Sequence, residues 1–273
     1  MNIAILTPTR QRPGKLDRLI ASVYETASDK NSIRMYNYID DDDPRQSQYK
    51  KNEESKSQNV INVYDKPQSE SKSWNVLAEK AMYESKEWGA DVLIMGNDDQ
   101  VYRTNDWDII LQKELERFDD DIYCCWFEDL INGKNHCAFP IVSKRWYETL
   151  GYFTPGIFHF GYNDTWVYDI AKRIDRCHFI PNVTVEHLHF STGKVSMDPT
   201  YHRNRTEERG NLYHLDNAIF DETSEERARD AEKLKKCMNE YGASITLKSI
   251  KSLKESNNYS YGIMPHPQQN RSS

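Results

Sequence analysis

No stretch of this 273-residue chain approaches the ~20 apolar residues that a membrane-spanning helix needs. The opening MNIAILTPTR holds one short apolar run, too short for a secretion signal and without its cleavage site. The expected compartment is therefore cytoplasmic. The sequons at Asn182 and Asn204 carry no weight in such a setting. Cysteine is sparse, with five residues at 124, 125, 137, 177 and 237. The number is odd and no spacing matches a metal knuckle, so reduced, partly buried thiols are expected. Basic residues cluster less than acidic ones, which gather at Asp40 to Asp43, Asp98–Asp99 and Asp119 to Asp121. The net charge is −7, from 43 acidic and 36 basic residues, which argues against a broad nucleic-acid surface. Aliphatic bulk is modest, with 37 % hydrophobic residues, but 17 Tyr and 6 Trp supply a core.

What is present alternates in a regular way. Asn2 to Leu6 reads as a buried strand that ends at Thr7-Pro8-Thr9-Arg10. Leu16, Leu19, Ile20 and Val23 then repeat at helical spacing. Ile33 to Ile39 is a second strand, stopping at Asp40 to Asp43, and Arg45 to Gln58 reads as a polar loop. Val60 to Tyr64 is a third strand. Trp74, Leu77, Ala78 and Ala81 share a helix face, with Ser71 or Ser73 as its cap. Asp91 to Gly96 is the clearest strand and runs into Asn97-Asp98-Asp99. This order predicts an α/β chain with a mostly parallel mixed sheet and helices on both faces. Later strands are expected at 122–127, 138–142 and 177–185, and helices at 144–150, 163–174 and 225–241. Beyond Lys251 the composition turns to Ser, Asn, Gln and Pro, and a mobile tail is expected.

In such sheets ligands bind beyond the carboxyl ends of the strands. Three of the first four strand ends carry polar groups. Asn97 and Asp99, with one residue between them, can present oxygens to one hard cation, since side chains alternate along a strand. An ordinary polar turn has the same composition. Asp40 to Asp43 reads either as a solvated loop or as acceptors for a base or ribose. His187 and His189 can complete a metal shell or lie half-exposed. Asp164, before a helical run, is either a cap or a general base. Lys194, His202, Arg203 and Arg205 can neutralise a diphosphate or solvate a loop.

Taken in order, TPTRQRPGKLDRLIASV, YIDDDDP, SKSWNVLAEKA, DVLIMGNDDQVY, FPIVSKRWYETLGYF, GYNDTWVYDIAKR and VEHLHFSTGK form a pattern over residues 1–215. The pattern resembles the GT-A (Rossmann-like) glycosyltransferases, especially the family-2-type inverting enzymes of bacteria and phages. The resemblance implies a glycosyltransferase domain over 1–220, a helical extension over 221–250 and a polar tail over 251–273. It implies that Thr7, Thr9, Arg10, Asp40, Asp42, Lys72, Asn75, Asp98 and Lys194 hold a nucleotide-diphosphate sugar, with a UDP-sugar favoured. Asp99, helped by Asn97 and by His187 or His189, would bind Mn²⁺ or Mg²⁺. Asn97 stands where the family has Asp, so the metal would lean on Asp99. Asp164 would be the catalytic base, although Gly-Tyr-Asn-Asp departs from the family's Glu-Asp pair. Trp146, Tyr152 and Phe153 would shape the acceptor pocket. The acceptor would be a glycan or a hydroxylated base in phage DNA, and in the latter case the setting is the host cytoplasm. A nucleotidyltransferase is the alternative enzyme, but that class opens with a Gly-rich turn, and here only Gly14 is near. A non-catalytic nucleotide- or sugar-binding protein is the alternative outside catalysis.

Overall fold

The N-terminal apolar run forms β1 (Ile3–Thr9), and its two faces feed two cores. Ala4 and Leu6 face one core, and Ile3 and Ile5 face the other, as the period-2 geometry of a strand requires. The computed structural model describes residues 1–53, 58–83, 87–205 and 212–258. Pro13 opens α1 (Pro13–Thr26), where its fixed φ suits the first turn and its missing N–H costs nothing. Leu16, Leu19 and Val23 of that helix are fully buried on the sheet. The chain continues through β2 (Ile33–Asp40), α2 (Gln46–Glu53), β3 (Val60–Asp65) and α3 (Glu70–Tyr83). Next come β4 (Val92–Met95), β5 (Gln100–Tyr102), α4 (Trp107–Leu115) and β6 (Cys124–Glu128). Then follow β7 (Ile141–Ser143), α5 (Lys144–Leu150), α6 (Asn163–Arg173) and β8 (Cys177–His187). The chain ends in α7 (Pro199–Arg205), α8 (Leu212–Glu222) and α9 (Ser224–Asn258).

The strands form one sheet in the order β3-β2-β1-β4-β7-β6-β8-β5. The first four are parallel, so their carboxyl ends lie along one rim. Thr9, Asp40 and the turn after β4 therefore meet there. β7 runs antiparallel between β4 and β6, and β5 pairs antiparallel with β8. The last pairing sets Gln100 opposite His187. It brings the end of the long β8 back beside Asp99. Trp74 locks α3 to the rim, donating its indole N–H to Leu6 O at 3.0 Å and to Gly96 O at 3.3 Å. Only glycine fits at position 96: an added Cβ would meet Thr7 Oγ1 at 2.4 Å and Leu6 O at 3.0 Å.

Two expectations are corrected. Residues 46–53 form a helix and not a loop. Among its described side chains Tyr49 anchors it, being fully buried and accepting the Arg12 N–H at 2.9 Å. The polar residues around it leave no apolar periodicity to read. The C-terminal helix continues to Asn258, past the expected start of the tail; no Pro or Gly interrupts residues 243–258. Residues 259–273 of that tail lie outside the described residues. The first half of α9 packs on α5 and α6 through the buried Ala231 and Leu234. Among the described residues, no helix is long and apolar enough to cross a membrane.

Candidate active site

The turn after β4 splits its two carboxylates between two directions. Asn97 N–H donates to Gln100 Oε1 at 2.8 Å, and Gln100 N–H returns a bond to Asn97 O at 3.1 Å. This tight turn leaves Asp98 and Asp99 1 % exposed. Asp98 accepts from Thr9 Oγ1 at 2.8 Å and from Arg12 Nη1 at 2.9 Å. Burial nevertheless pushes its carboxyl up to about 6, against the pull of Arg12. Burial works against Asp99 as well, but His187 and the Tyr201 hydroxyl outweigh it and hold that carboxyl below its ordinary value.

Arg12 is the centre of the rim. Its guanidinium is 8 % exposed and binds Asp98 on one side and Asp198 on the other, at 2.9 and 2.8 Å. Lys15 reaches the same Asp198 at 2.6 Å. Burial opposes the Arg12 charge, but these carboxylates raise its pKa further. The same charges drive Asp198 far below the usual carboxylate range, overcoming its partial burial. Asp198 begins a strap that continues into α7. The Tyr201 ring lies under Arg12, 4.2 Å from its guanidinium carbon, and its hydroxyl donates to Asp99.

Two adjoining chambers open at this rim. The first encloses about 360 Å³ and is lined by Pro8, Thr9, Arg10, Tyr38, Asp40, Ser73, Asp98 and His159, among others. Arg10 binds Asp40 at 2.6 Å and also pairs with Asp42. The second encloses about 270 Å³ and carries Asp99, Asp164, His136, His187 and His189, with the rings of Phe139, Phe160, Tyr162 and Tyr213. Arg12, Glu70, Asn97 and Thr200 line both. Asp164 sits in the first turn of α6, after Tyr162 in the left-handed region at φ 64°. The loop before it is clamped by the fully buried Asp216, which accepts from the N–H groups of His159, Phe160 and Gly161 at 2.9, 2.7 and 2.8 Å.

Whether these groups suit a divalent cation can be judged from three buried atoms. Asp99 Oδ1 and both ring nitrogens of His187 have no hydrogen-bond partner. His187 Nε2 stands 3.4 Å from that oxygen, too far for a good hydrogen bond. Buried polar atoms left this way are costly unless something else binds them. An oxygen and an imidazole suit Mn²⁺ or Mg²⁺, which take few protein ligands when a substrate brings phosphates. The residues fit. Among the described residues no group of three His, Cys, Asp or Glu side chains forms a complete cage.

Several sequence-based assignments change place. Trp146 and Phe153 are fully buried in the core, and Tyr152 donates its hydroxyl to Asp230 on α9. These aromatics face inward because α5 and the loop after it pack beneath α6 and α9. The rings that line the second chamber are instead Phe139, Phe160, Tyr162 and Tyr213. Asn75 is spent on the backbone: it accepts the Phe153 and Thr154 N–H groups at 2.9 and 3.0 Å and donates to Thr154 O at 2.7 Å. Thr7 is fully buried behind the rim. Lys72 is exposed and lines neither chamber, and Lys194 pairs with Glu186 at 2.5 Å away from both. The side chains of Arg203 and Arg205 lie outside the described residues. Arg12, Asp198, Tyr201 and His136 escaped the sequence reading; for Arg12, a second basic residue just before Pro13 was the available signal.

No protein-family model and no curated protein matches the sequence. Solved structures do match. The S. aureus TarS 1–349 structure superposes with a TM-score of 0.52 at 12 % identity, over 68 % of this chain and 59 % of that one. The same fragment in complex with UDP-GlcNAc gives 0.51 at 11 % identity, over 74 % and 64 %. The mannosyltransferase PcManGT of Pyrobaculum calidifontis, in complex with GDP-Man and Mn²⁺, gives 0.52 at 10 % identity, over 92 % and 80 %. The chain has the GT-A fold. It spans about three fifths of the length of the TarS fragment it matches.

Two outcomes test this description. Asn75→Ala strands two N–H groups and one carbonyl, so it should cost about 1–3 kcal/mol in thermal or urea unfolding while leaving nucleotide affinity intact. A loss of affinity at unchanged stability would return Asn75 to the ligand site. Asp198 should stabilise the fold above its unfolded pKa of 3.8 and lose that contribution as pH falls toward its depressed folded value. The stability gap between wild type and Asp198→Asn should thus be widest above pH ~4 and narrow below it. A gap that widens in acid contradicts the ion pair.

Proposed function

We propose that the protein is a metal-dependent glycosyltransferase that moves a sugar from a nucleotide-diphosphate sugar to an acceptor hydroxyl with inversion. The observation that carries this reading is the division of Asp98 and Asp99 between two chambers that share Arg12 and Asn97, with Asp164 in the second. The first chamber would take the nucleotide. Asp40, held by Arg10, would accept a base or ribose hydrogen bond. A uracil imide N–H suits a single carboxylate, which favours a UDP-sugar. The complexes of structural neighbours with UDP-GlcNAc and with GDP-Man support a nucleotide sugar as the ligand class.

Asp99 and His187 would hold the cation, with His189 beside them, its ring centroid 5.2 Å from that of His187. When bound, the metal would offset the negative charge that develops on the departing diphosphate. Asp99 would offer its unpartnered Oδ1, while Oδ2 keeps the Tyr201 hydroxyl. Arg12, itself buried, would add fixed positive charge beside the diphosphate. Asp164 would take the proton of the acceptor hydroxyl as its oxygen bonds the anomeric carbon. The rings of Phe139, Phe160 and Tyr162 would lie against the acceptor, a glycan or a hydroxylated base.

Calorimetry with Mn²⁺ and UDP-GlcNAc or GDP-mannose tests the donor half. Asp99→Ala should lose metal-dependent binding by at least tenfold, and undiminished binding would move the metal elsewhere. Turnover tests the acceptor half. Asp164→Asn should cut transfer by roughly 10²–10⁴-fold while donor affinity holds. Wild-type turnover in that variant would remove Asp164 from the reaction.

A further inference from the structure

Asp164 has a partner within the second chamber. His136 Nε2 lies 2.9 Å from Asp164 Oδ2. The other carboxylate oxygen accepts the Thr165 N–H at 2.7 Å. Held at both oxygens, the carboxylate cannot rotate freely, and its remaining lone pairs point in fixed directions. The histidine is itself constrained. Its ring stands edge-on to Tyr168, with centroids 5.6 Å apart at 84°, and the next residue, Cys137, is fully buried. His136 and Asp164 are 32 % and 26 % exposed, so their interaction is partly shielded from water. The charged groups around His136 are mixed. Asp164 and Asp129 favour its cation, while Lys172 and partial burial oppose it. The bond to Asp164 is the largest influence and the balance is upward.

We propose that His136 is a positioning residue that aims Asp164 at the acceptor hydroxyl. The proposal rests on the reading of Asp164 as the base. In the reaction the acceptor O–H bond breaks and its proton goes to Asp164. The acceptor oxygen bonds the anomeric carbon, and the bond from that carbon to the diphosphate breaks with its electron pair on the diphosphate. His136 keeps its proton throughout.

Two measurements on the full chain test this. The first needs no donor: the His136 ring is titrated by NMR. In Asp164→Asn its midpoint should fall, since a neutral amide no longer favours the cation. An unmoved midpoint overturns the coupling. The second follows the kcat and KM of UDP release from UDP-GlcNAc with Mn²⁺, water serving as acceptor. His136→Gln keeps an N–H donor for Asp164 Oδ2, and His136→Ala removes it. His136→Ala should lose roughly tenfold in kcat at unchanged KM, and His136→Gln should recover most of that loss. Equal losses in the two variants, or a loss carried by KM, mark a merely structural contact and overturn the proposal. Wild-type release by Asp164→Asn would instead overturn the base assignment, and the proposal with it. An inactive Asp164→Asn alongside a wild-type kcat in His136→Ala removes His136 alone.

Discussion

Asp98 and Asp99 are two adjacent carboxylates buried at the end of β4. Burying even one charge costs several kcal/mol before compensation, and a like charge beside it adds to that. The rest of the site follows from that burden. Thr9 and Arg12 answer Asp98; His187 and Tyr201 answer Asp99. Arg12 is buried in its turn and takes a second carboxylate, Asp198, from a segment 186 residues away. Removing one member of such a set leaves an unpaired charge, at a cost of about 3–5 kcal/mol. The strap after β8 is therefore held to the N-terminal rim by electrostatics as much as by packing.

The two carboxylates respond differently to that environment. Asp98 faces a buried cation yet stays hard to ionise, because desolvation dominates. Asp99 is easier to ionise, and its Oδ1 faces only an imidazole 3.4 Å away. Apolar side chains of like volume often fill such a turn at no loss of stability. The proposed cation would sit at Asp99 because it is the carboxylate with an unmatched oxygen.

The rim was legible in the sequence because it follows from a rule about strand ends. Parallel order over the first hundred residues put Thr9, Asp40 and Asn97 to Asp99 at one edge, and only their residue types had to be read. The antiparallel return of β8 beside Asp99 was legible only as two histidines after a strand. Other parts were hidden for a physical reason. The partnership of Arg12 with Asp198 and the bond from Tyr201 to Asp99 span long sequence distances and leave no periodic trace. Trp146 and Phe153 looked like ligand-facing aromatics, but a large ring is as useful to a core as to a binding surface. Only the depth of α5 beneath α6 and α9 decides between the two. Asn75 shows the same ambiguity for an amide, which serves a backbone as readily as a ligand.

The position of Asp164 depends on parts of the chain far from it. Tyr162, in the left-handed region, turns the chain sharply into α6, a conformation that costs a non-glycine residue about 1 kcal/mol or more. Something must hold that turn, and Asp216 does so through three backbone N–H groups of the preceding loop. Asp216 belongs to α8, whose Phe220 in turn stacks on Arg227 at the start of α9. Arg227 then returns to α6 through Asp169 at 2.8 Å. The turn that carries Asp164, α8 and the start of α9 form a closed circuit of contacts. A boundary at residue 220 falls inside that circuit, between Phe220 and Arg227. The first turns of α9 are therefore tied mechanically to the turn that carries Asp164.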